Sequence, residues 1–120
     1  MAAETPRPGR PGRGSTTGRP IMALFDLLGR RWVLRVIWEL DQAPGPLTFR
    51  ELRTACGDLS SSVLTRRLSE LTEARLVEHD EGYRLTHAGR TLVERLAPLT
   101  QWAAEWHTMT DEETLRAGRQ

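Results

Sequence analysis

The chain has 120 residues, 38% of them hydrophobic and 28% charged, with a formal net charge of +1. That size matches one ordinary domain and leaves little room for a second independent core. No apolar run approaches the roughly 20 residues needed to cross a bilayer, which argues against a membrane protein and makes the cytoplasm the expected compartment.

Residues 1–19 hold Arg7, Arg10, Arg13 and Arg19 against Glu4 alone, a local charge of +3. The stretch "ETPRPGRPGRGSTTGRP" is proline, glycine, arginine and small hydroxyls, which bury too little apolar surface to offset the entropy of ordering. It reads as a disordered basic arm. Such an arm either follows a phosphate backbone or minor groove, or is a passive solubilising tail, and both readings stand. The chain has no lysine, so every cationic side chain is a planar fork; a GC-rich coding sequence is the plainer explanation.

From Pro20 the pattern becomes helical. Pro20 suits a first turn, and Ile21, Leu24, Phe25, Leu27 and Leu28 make an apolar surface that ends at Gly29. A second helix carries Trp32, Val33, Val36, Ile37 and Leu40 at spacings of three and four, and stops at "APGP". Leu47 reads as briefly extended. Thr48 followed by Glu51 three residues on is a capping box for a third short helix, with Phe49, Leu52 and Ala55 facing inward.

After the turn "CGDL", Ser60 caps a fourth helix through "SSSVLTRRLSELTEARL". At about 100° per residue, Leu64, Leu68 and Leu71 share one face, and Ser62, Thr65, Arg66 and Ser69 lie opposite. "LVEH" and "YRLT" then form a hairpin around "DEG". A last helix from about Ala88 to His107 carries Leu92, Leu96, Leu99, Trp102 and Trp106, with Pro98 marking a kink or break. Residues 111–120 read as a short flexible tail.

Two short helices joined by a tight turn, with a hairpin directly after the second, make a winged helix-turn-helix. The expected fold is mainly α with a small β-hairpin wing, an α+β domain over residues 20–110. A helix side lined by slim hydroxyls and one arginine suits the major groove, about 12 Å wide, where Arg66 can donate two bonds to guanine. Ser61, Ser62, Thr65, Arg66 and Ser69 are the candidates for base or nearby phosphate contact. Arg50, Arg67, Arg84 and Arg90 are the candidates for backbone contact. Solvation of one side of an ordinary amphipathic helix is the plain alternative for these residues.

The chain also resembles the HxlR-type transcription regulators, relatives of the MarR group, from about Arg19 to Trp106. The resemblance rests on "LLGRRWVLRVIWEL", "PLTFRELR", "LSSSVLTRRLSEL", "LTEARLVE" and "YRLTHAGRTL", in the right order at the right separations. It implies a homodimer that binds an inverted repeat in double-stranded DNA, with its subunits joined through the first and last helices. Leu24, Leu28, Leu96, Leu99, Trp102 and Trp106 are the corresponding candidates for the dimer interface. Family members often carry a redox-sensing cysteine just before the proline that opens the first helix; Arg19 stands there, so that switch does not carry over. Cys56 lies elsewhere and reads first as a small buried apolar residue, with a redox sensor as the less favoured alternative.

Three more departures from the family bear on recognition. Ser62 replaces a basic residue common near the start of the recognition helix, and Arg66 replaces a frequent glutamine. The wing "HDEGY" carries Asp80 and Glu81 where other wings present basic residues to DNA. Either this wing stays off the duplex, or binding is weak and steeply salt-dependent. Arg84 and Arg90 either meet phosphates or pair with Glu78 or Glu94.

Four tryptophans in so short a chain allow two readings. The sharper is an aromatic pocket for a small-molecule effector; the plainer, preferred here, is buried area in the core and at the subunit interface. His79, His87 and His107 show no spacing for metal ligation or a catalytic triad, and one cysteine cannot make a disulfide or a cysteine zinc site. No enzyme activity, cofactor or metal is expected. The sequence therefore points to a sequence-specific DNA-binding regulator, in the first instance a repressor. A winged-helix protein-interaction module without specific DNA binding is the alternative.

Overall fold

A computed structural model describes Pro8 and residues 19–118. The arm read over residues 1–19 lies outside the described residues except at Pro8 and Arg19.

Pro20 has no amide to leave unpaired, and it opens α1 (Pro20–Leu28) in the first turn. The Gly29 amide closes that helix onto the Phe25 carbonyl at 2.9 Å. The next helix, α2 (Val33–Gln42), starts later than its apolar pattern suggests. Trp32 is not its first helical residue but its N-cap, in the left-handed region at φ 77°. The chain turns sharply here, with the Arg30 amide donating to Leu27 and the Val33 amide donating to Arg30. A bulky residue held left-handed costs on the order of 1–2 kcal/mol. Burial of Val33, Val36, Ile37 and Leu40 immediately afterwards offsets it.

The short helix α3 (Phe49–Ala55) opens on the expected capping box. Thr48 Oγ1 accepts from the Glu51 amide at 3.1 Å, and the Glu51 carboxylate accepts from the Thr48 amide at 2.9 Å. Leu52 is buried, whereas Phe49 and Ala55 are only half-buried. Gly57 and Asp58 then take consecutive left-handed conformations, φ 76° and 59°, which reverse the chain. Arg53 Nε donates to the Leu59 carbonyl at 2.7 Å and holds the turn. That delivers Ser60, whose Oγ accepts from the Val63 amide, as the cap of α4 (Ser61–Glu73).

Two strands follow, β1 (Val77–His79) and β2 (Tyr83–Leu85), antiparallel with Val77 opposite Leu85 and His79 opposite Tyr83. Their turn places Glu81 at φ 53° and Gly82 at φ 124°. A β-carbon on Gly82 would also meet that of Pro46 at 2.9 Å, so glycine is required twice over. Leu47 pairs with Tyr83 through two backbone hydrogen bonds of 3.0 and 2.7 Å, which adds a third short extended segment to the hairpin.

The single last helix read from the sequence is two helices, α5 (His87–Leu96) and α6 (Pro98–Gly118). Pro98 has no amide and its ring disfavours continuation of the preceding turn, so the break falls immediately before it. Residues 111–118, read as tail, are helical. Glu112, Glu113, Arg116 and Ala117 favour helix, and His107 pairs with Asp111 one turn on at 3.2 Å.

The chain divides into two units after Arg90, inside the stretch read as one domain. The first holds the core: Ala23 and Leu27 of α1, the apolar face of α2, Leu52, Cys56 and Leu59, Leu64, Leu68 and Leu71 of α4, and Val77 and Leu85 of the hairpin. The second holds the rest of α5 and all of α6.

Candidate nucleic-acid interface

Leu64, Leu68 and Leu71 are 0–3% exposed, and burying three leucines on one side of α4 fixes which side is left over. Ser61, Ser62, Thr65, Arg66 and Ser69 all lie open to solvent on that remaining surface. Among the described residues, Arg66 has no hydrogen-bond or ion-pair partner, so its fork is free to engage a ligand. Arg50, at the start of α3, is likewise exposed and unpartnered among the described residues. The hydroxyl-and-arginine face is thus left uncovered by the described residues.

The remaining arginines differ. Arg67 is not available for backbone contact as the sequence suggested: its side chain is 15% exposed and its Nη1 donates to Glu70 Oε1. Arg30, from the α1–α2 connection, donates to the other oxygen of the same carboxylate. Arg84 is exposed but occupied, donating from Nε to Glu78 at 2.8 Å and from Nη2 to Asp80 at 3.3 Å. The hydrogen bond that Arg84 donates to Glu78, helped by the carboxylate's charge, raises the Arg84 pKa further. Of the two pairings weighed for the hairpin arginines, Glu78 is therefore realised. Arg90 is exposed and donates to the Leu85 carbonyl at 3.0 Å, which leaves part of its fork open.

Sequence reasoning missed the Arg30–Glu70–Arg67 cluster. The i,i+3 spacing of Arg67 and Glu70 is visible in the chain, but the partner 40 residues away is not.

On the second unit, Leu99, Trp102 and Trp106 are each more than half exposed, and Met109 extends the same stripe. The two indoles stack at 5.8 Å with 13° between their planes. Leu96 is half-buried, as are Leu24 and Leu28 on α1. Trp32 is half-buried under the Arg31 guanidinium at 5.9 Å, and Trp38 is exposed. Among the described residues there is no cluster of three metal-ligating side chains, and no helix is long and apolar enough to cross a membrane.

A family model of HxlR-like helix-turn-helix proteins matches residues 27–111, which takes in α2 to α5, the hairpin and the first two thirds of α6. The chain belongs to the HxlR family. A curated relative, an uncharacterised HTH-type transcriptional regulator of Bacillus subtilis, YvaP, is 34% identical over 89 residues, covering 68% of this chain and 81% of its own. Among solved structures, quinone-bound YodB of B. subtilis matches with a TM-score of 0.65 at 31% identity, over 71% of this chain and 96% of that one. A possible HxlR family factor of Thermoplasma volcanium matches with a TM-score of 0.63 at 27% identity, over 70% and 81%. The chain is thus an HxlR-family transcription regulator with the winged-helix fold of its relatives, not an enzyme. In chain order, α4 is the second helix of the α3–α4 helix-turn-helix.

Proposed function

We propose that this HxlR-family chain is a homodimeric repressor that reads an inverted-repeat operator through α4. The observation that carries the reading is the open surface of Ser61, Ser62, Thr65, Arg66 and Ser69 on a helix whose opposite side is fully packed. Slim hydroxyls allow the helix to approach base edges, and the unpartnered Arg66 supplies the bidentate donor that suits guanine. Arg50 and the open part of Arg90 take phosphates on either side.

A second copy is the partner that suits α6. Leu99, Trp102, Trp106 and Met109 recur at spacings of three and four, so they form one apolar stripe along 11 residues. Stacked, half-exposed indoles are costly in water and are the side chains that anchor subunit interfaces. A two-fold dimer built on such helices presents two copies of α4, which matches half-sites about one or more helical turns apart.

The wing takes little part in this reading. Arg84 is engaged by Glu78 and Asp80, and Glu81 lies exposed beside them, so the hairpin tip offers carboxylates where a groove-binding wing needs cations. The same feature favours a second reading, a protein-interaction module that kept the fold without specific DNA binding. An effector, if this regulator takes one, has room in an open cavity of about 460 Å³ lined by Pro20, Ala23, Leu24, Leu27 and Leu76, with Glu73 and Arg75 beside them. The tryptophans do not line it.

Selection of genomic fragments by the purified protein, followed by gel shifts over a salt series, tests the reading. A palindromic consensus retained with a steep salt slope, by a protein that sediments as a dimer, supports it. Retention of no fragment even at low salt favours the interaction module. A reporter silenced when the selected site overlaps its promoter establishes the sign of regulation.

A further inference from the structure

The geometry points to Glu70 as a positioning residue for DNA reading, tied to Arg30 so that the ion pair sets the rotation of α4 about its own axis and thereby aims Arg66. The inference rests on the DNA-reading role of α4 proposed above.

Glu70 is the single buried charged residue among the described side chains of the core, and its side chain is 8% exposed. Arg30 and Arg67 are nearly as enclosed, at 14% and 15%. Each guanidinium takes a separate oxygen of the carboxylate, Arg30 on Oε2 and Arg67 on Oε1. The two bonds do different things. Arg67 lies one turn before Glu70 on α4, so that pair moves with the helix and fixes nothing outside it. Arg30 lies in the α1–α2 connection, so its bond ties α4 to another part of the body.

The far end of that tie is itself held. The Arg30 amide donates to the Leu27 carbonyl and its own carbonyl accepts from Val33, with the left-handed Trp32 between them. The strut thus runs from a rigid turn to the helix that carries the reading side chains.

A directional tie is needed because the rest of the seat is not directional. Leu64, Leu68 and Leu71 bury area, and apolar burial tolerates a small rotation as long as the volume stays filled. Bidentate recognition does not: a binding group must stay within about 0.5 Å and 10–20° of its productive geometry. Arg66 and Glu70 are one turn apart and roughly 40° around the helix, so whatever fixes Glu70 fixes the origin of the Arg66 side chain. Burial adds a further reason. An enclosed ion pair is a poor source of net stability compared with apolar packing, and its better attested use is to specify one arrangement among several.

The pair also sorts the two arginines of α4. Arg67 is drawn inward to the carboxylate, its Nε buried without a partner, while its neighbour Arg66 is left open. The chain therefore offers the duplex one α4 guanidinium in place of two.

The test compares affinity for the selected operator with affinity for the same operator changed at the base that Arg66 reads. The ratio of the two cancels any uniform effect of altered net charge. Glu70→Gln keeps the shape but offers one acceptor and a donor where two guanidiniums need acceptors. Arg30→Met removes the tie to the α1–α2 turn and leaves Glu70 paired with Arg67. With helicity and dimerisation unchanged, both variants are expected to lose about tenfold of the ratio, the lower part of the range for a bidentate base contact. Arg30→Lys, which keeps the charge and one donor, should recover part of it. A wild-type ratio in both variants overturns the proposal, as does an equal loss on every sequence. Unfolding of both variants would make the tie a requirement for folding instead of aim, and overturns it too. Wild-type protein that prefers no sequence defeats the DNA-reading role itself, and the inference with it.

Discussion

Gly89 sits so close beneath Leu76 that a β-carbon added to it would stand 2.2 Å from the Leu76 carbonyl oxygen. The approach is fixed by Thr86, which joins the end of the hairpin to the first turn of α5. Its amide donates to that same Leu76 carbonyl, its hydroxyl donates to the Arg75 carbonyl at 2.7 Å, and its Oγ1 accepts from the Gly89 amide at 3.1 Å. Backbone cannot yield as a flexible side chain would. Gly89→Ala is expected to destabilise the fold by about 1–3 kcal/mol or more, although alanine is the better helix former. Urea denaturation measures it, and an unchanged or raised midpoint would show that α5 can shift away from the hairpin at no cost.

Arg66→Ala should cost about 1–3 kcal/mol at the cognate operator and relax the preference at one base position. The substitution removes a side chain that is exposed and unpartnered among the described residues, so the thermal midpoint should not move. Gel shifts against single-base variants of the operator distinguish the outcomes. A small, equal loss on every sequence would mean that Arg66 touches phosphate only.

Much of this interface was legible in the chain because it rests on local rules. The capping box at Thr48 and Glu51, the Ser60 cap, the leucines at 64, 68 and 71 and the turn around Gly82 each declare themselves within a few residues, and each is present. The exposure of Ser62, Thr65, Arg66 and Ser69 follows from the same periodicity. What the sequence could not express is tertiary. Trp32 reads as helical because apolar spacing includes it, yet the tight α1–α2 turn puts it in a left-handed cap. Arg67 reads as a solvent-facing cation until Glu70 and the distant Arg30 draw it inward. Pro98 marked a break that periodicity alone would have run through, and residues 111–118, read as tail, are sustained as helix by good helix formers.

Trp106→Glu is expected to dissociate the proposed dimer. Trp106 stacks on Trp102 and is 54% exposed, so in a single subunit the glutamate meets water and the fold is retained. At an interface the same carboxylate is buried opposite its own symmetry mate, and loss of the aromatic anchor alone costs about 2 kcal/mol or more. Sedimentation velocity at micromolar protein should show a monomer with unchanged helicity, together with weaker retention of a two-half-site operator than of wild type. A variant that stays dimeric would place the subunit contact elsewhere.

The capping box gives stability a pH dependence that can be assigned to one group. The Thr48 amide, and then the Thr48 hydroxyl, hold the Glu51 carboxylate below its ordinary pKa of 4.5. A depressed folded value means that the unfolded chain binds its proton first. The contribution is therefore complete above the ordinary value and is lost as pH falls through the lower folded one. Glu51→Gln should lower the unfolding midpoint somewhat at neutral pH and flatten its decline below pH 4.5, so that the two profiles converge in acid. Parallel acid profiles for the two proteins would show that the box is already broken in solution.

The chain holds a single cysteine, Cys56, so any thiol reactivity of the protein rests on that one side chain. It is 1% exposed at the end of α3, where burial pushes its thiol pKa up; Glu39 adds to that shift and Arg35 opposes it. Both enclosure and a scarce thiolate slow attack on disulfides, quinones and alkylating agents. Iodoacetamide should label native protein at pH 7.5 at least about tenfold more slowly than protein in urea, with a rate that follows global opening. Diamide should leave operator binding unchanged, because one buried thiol has neither access nor an internal partner. Rapid native labelling, or release from DNA on oxidation that Cys56→Ser abolishes, would instead make this cysteine a sensor at a position unlike the one beside Pro20.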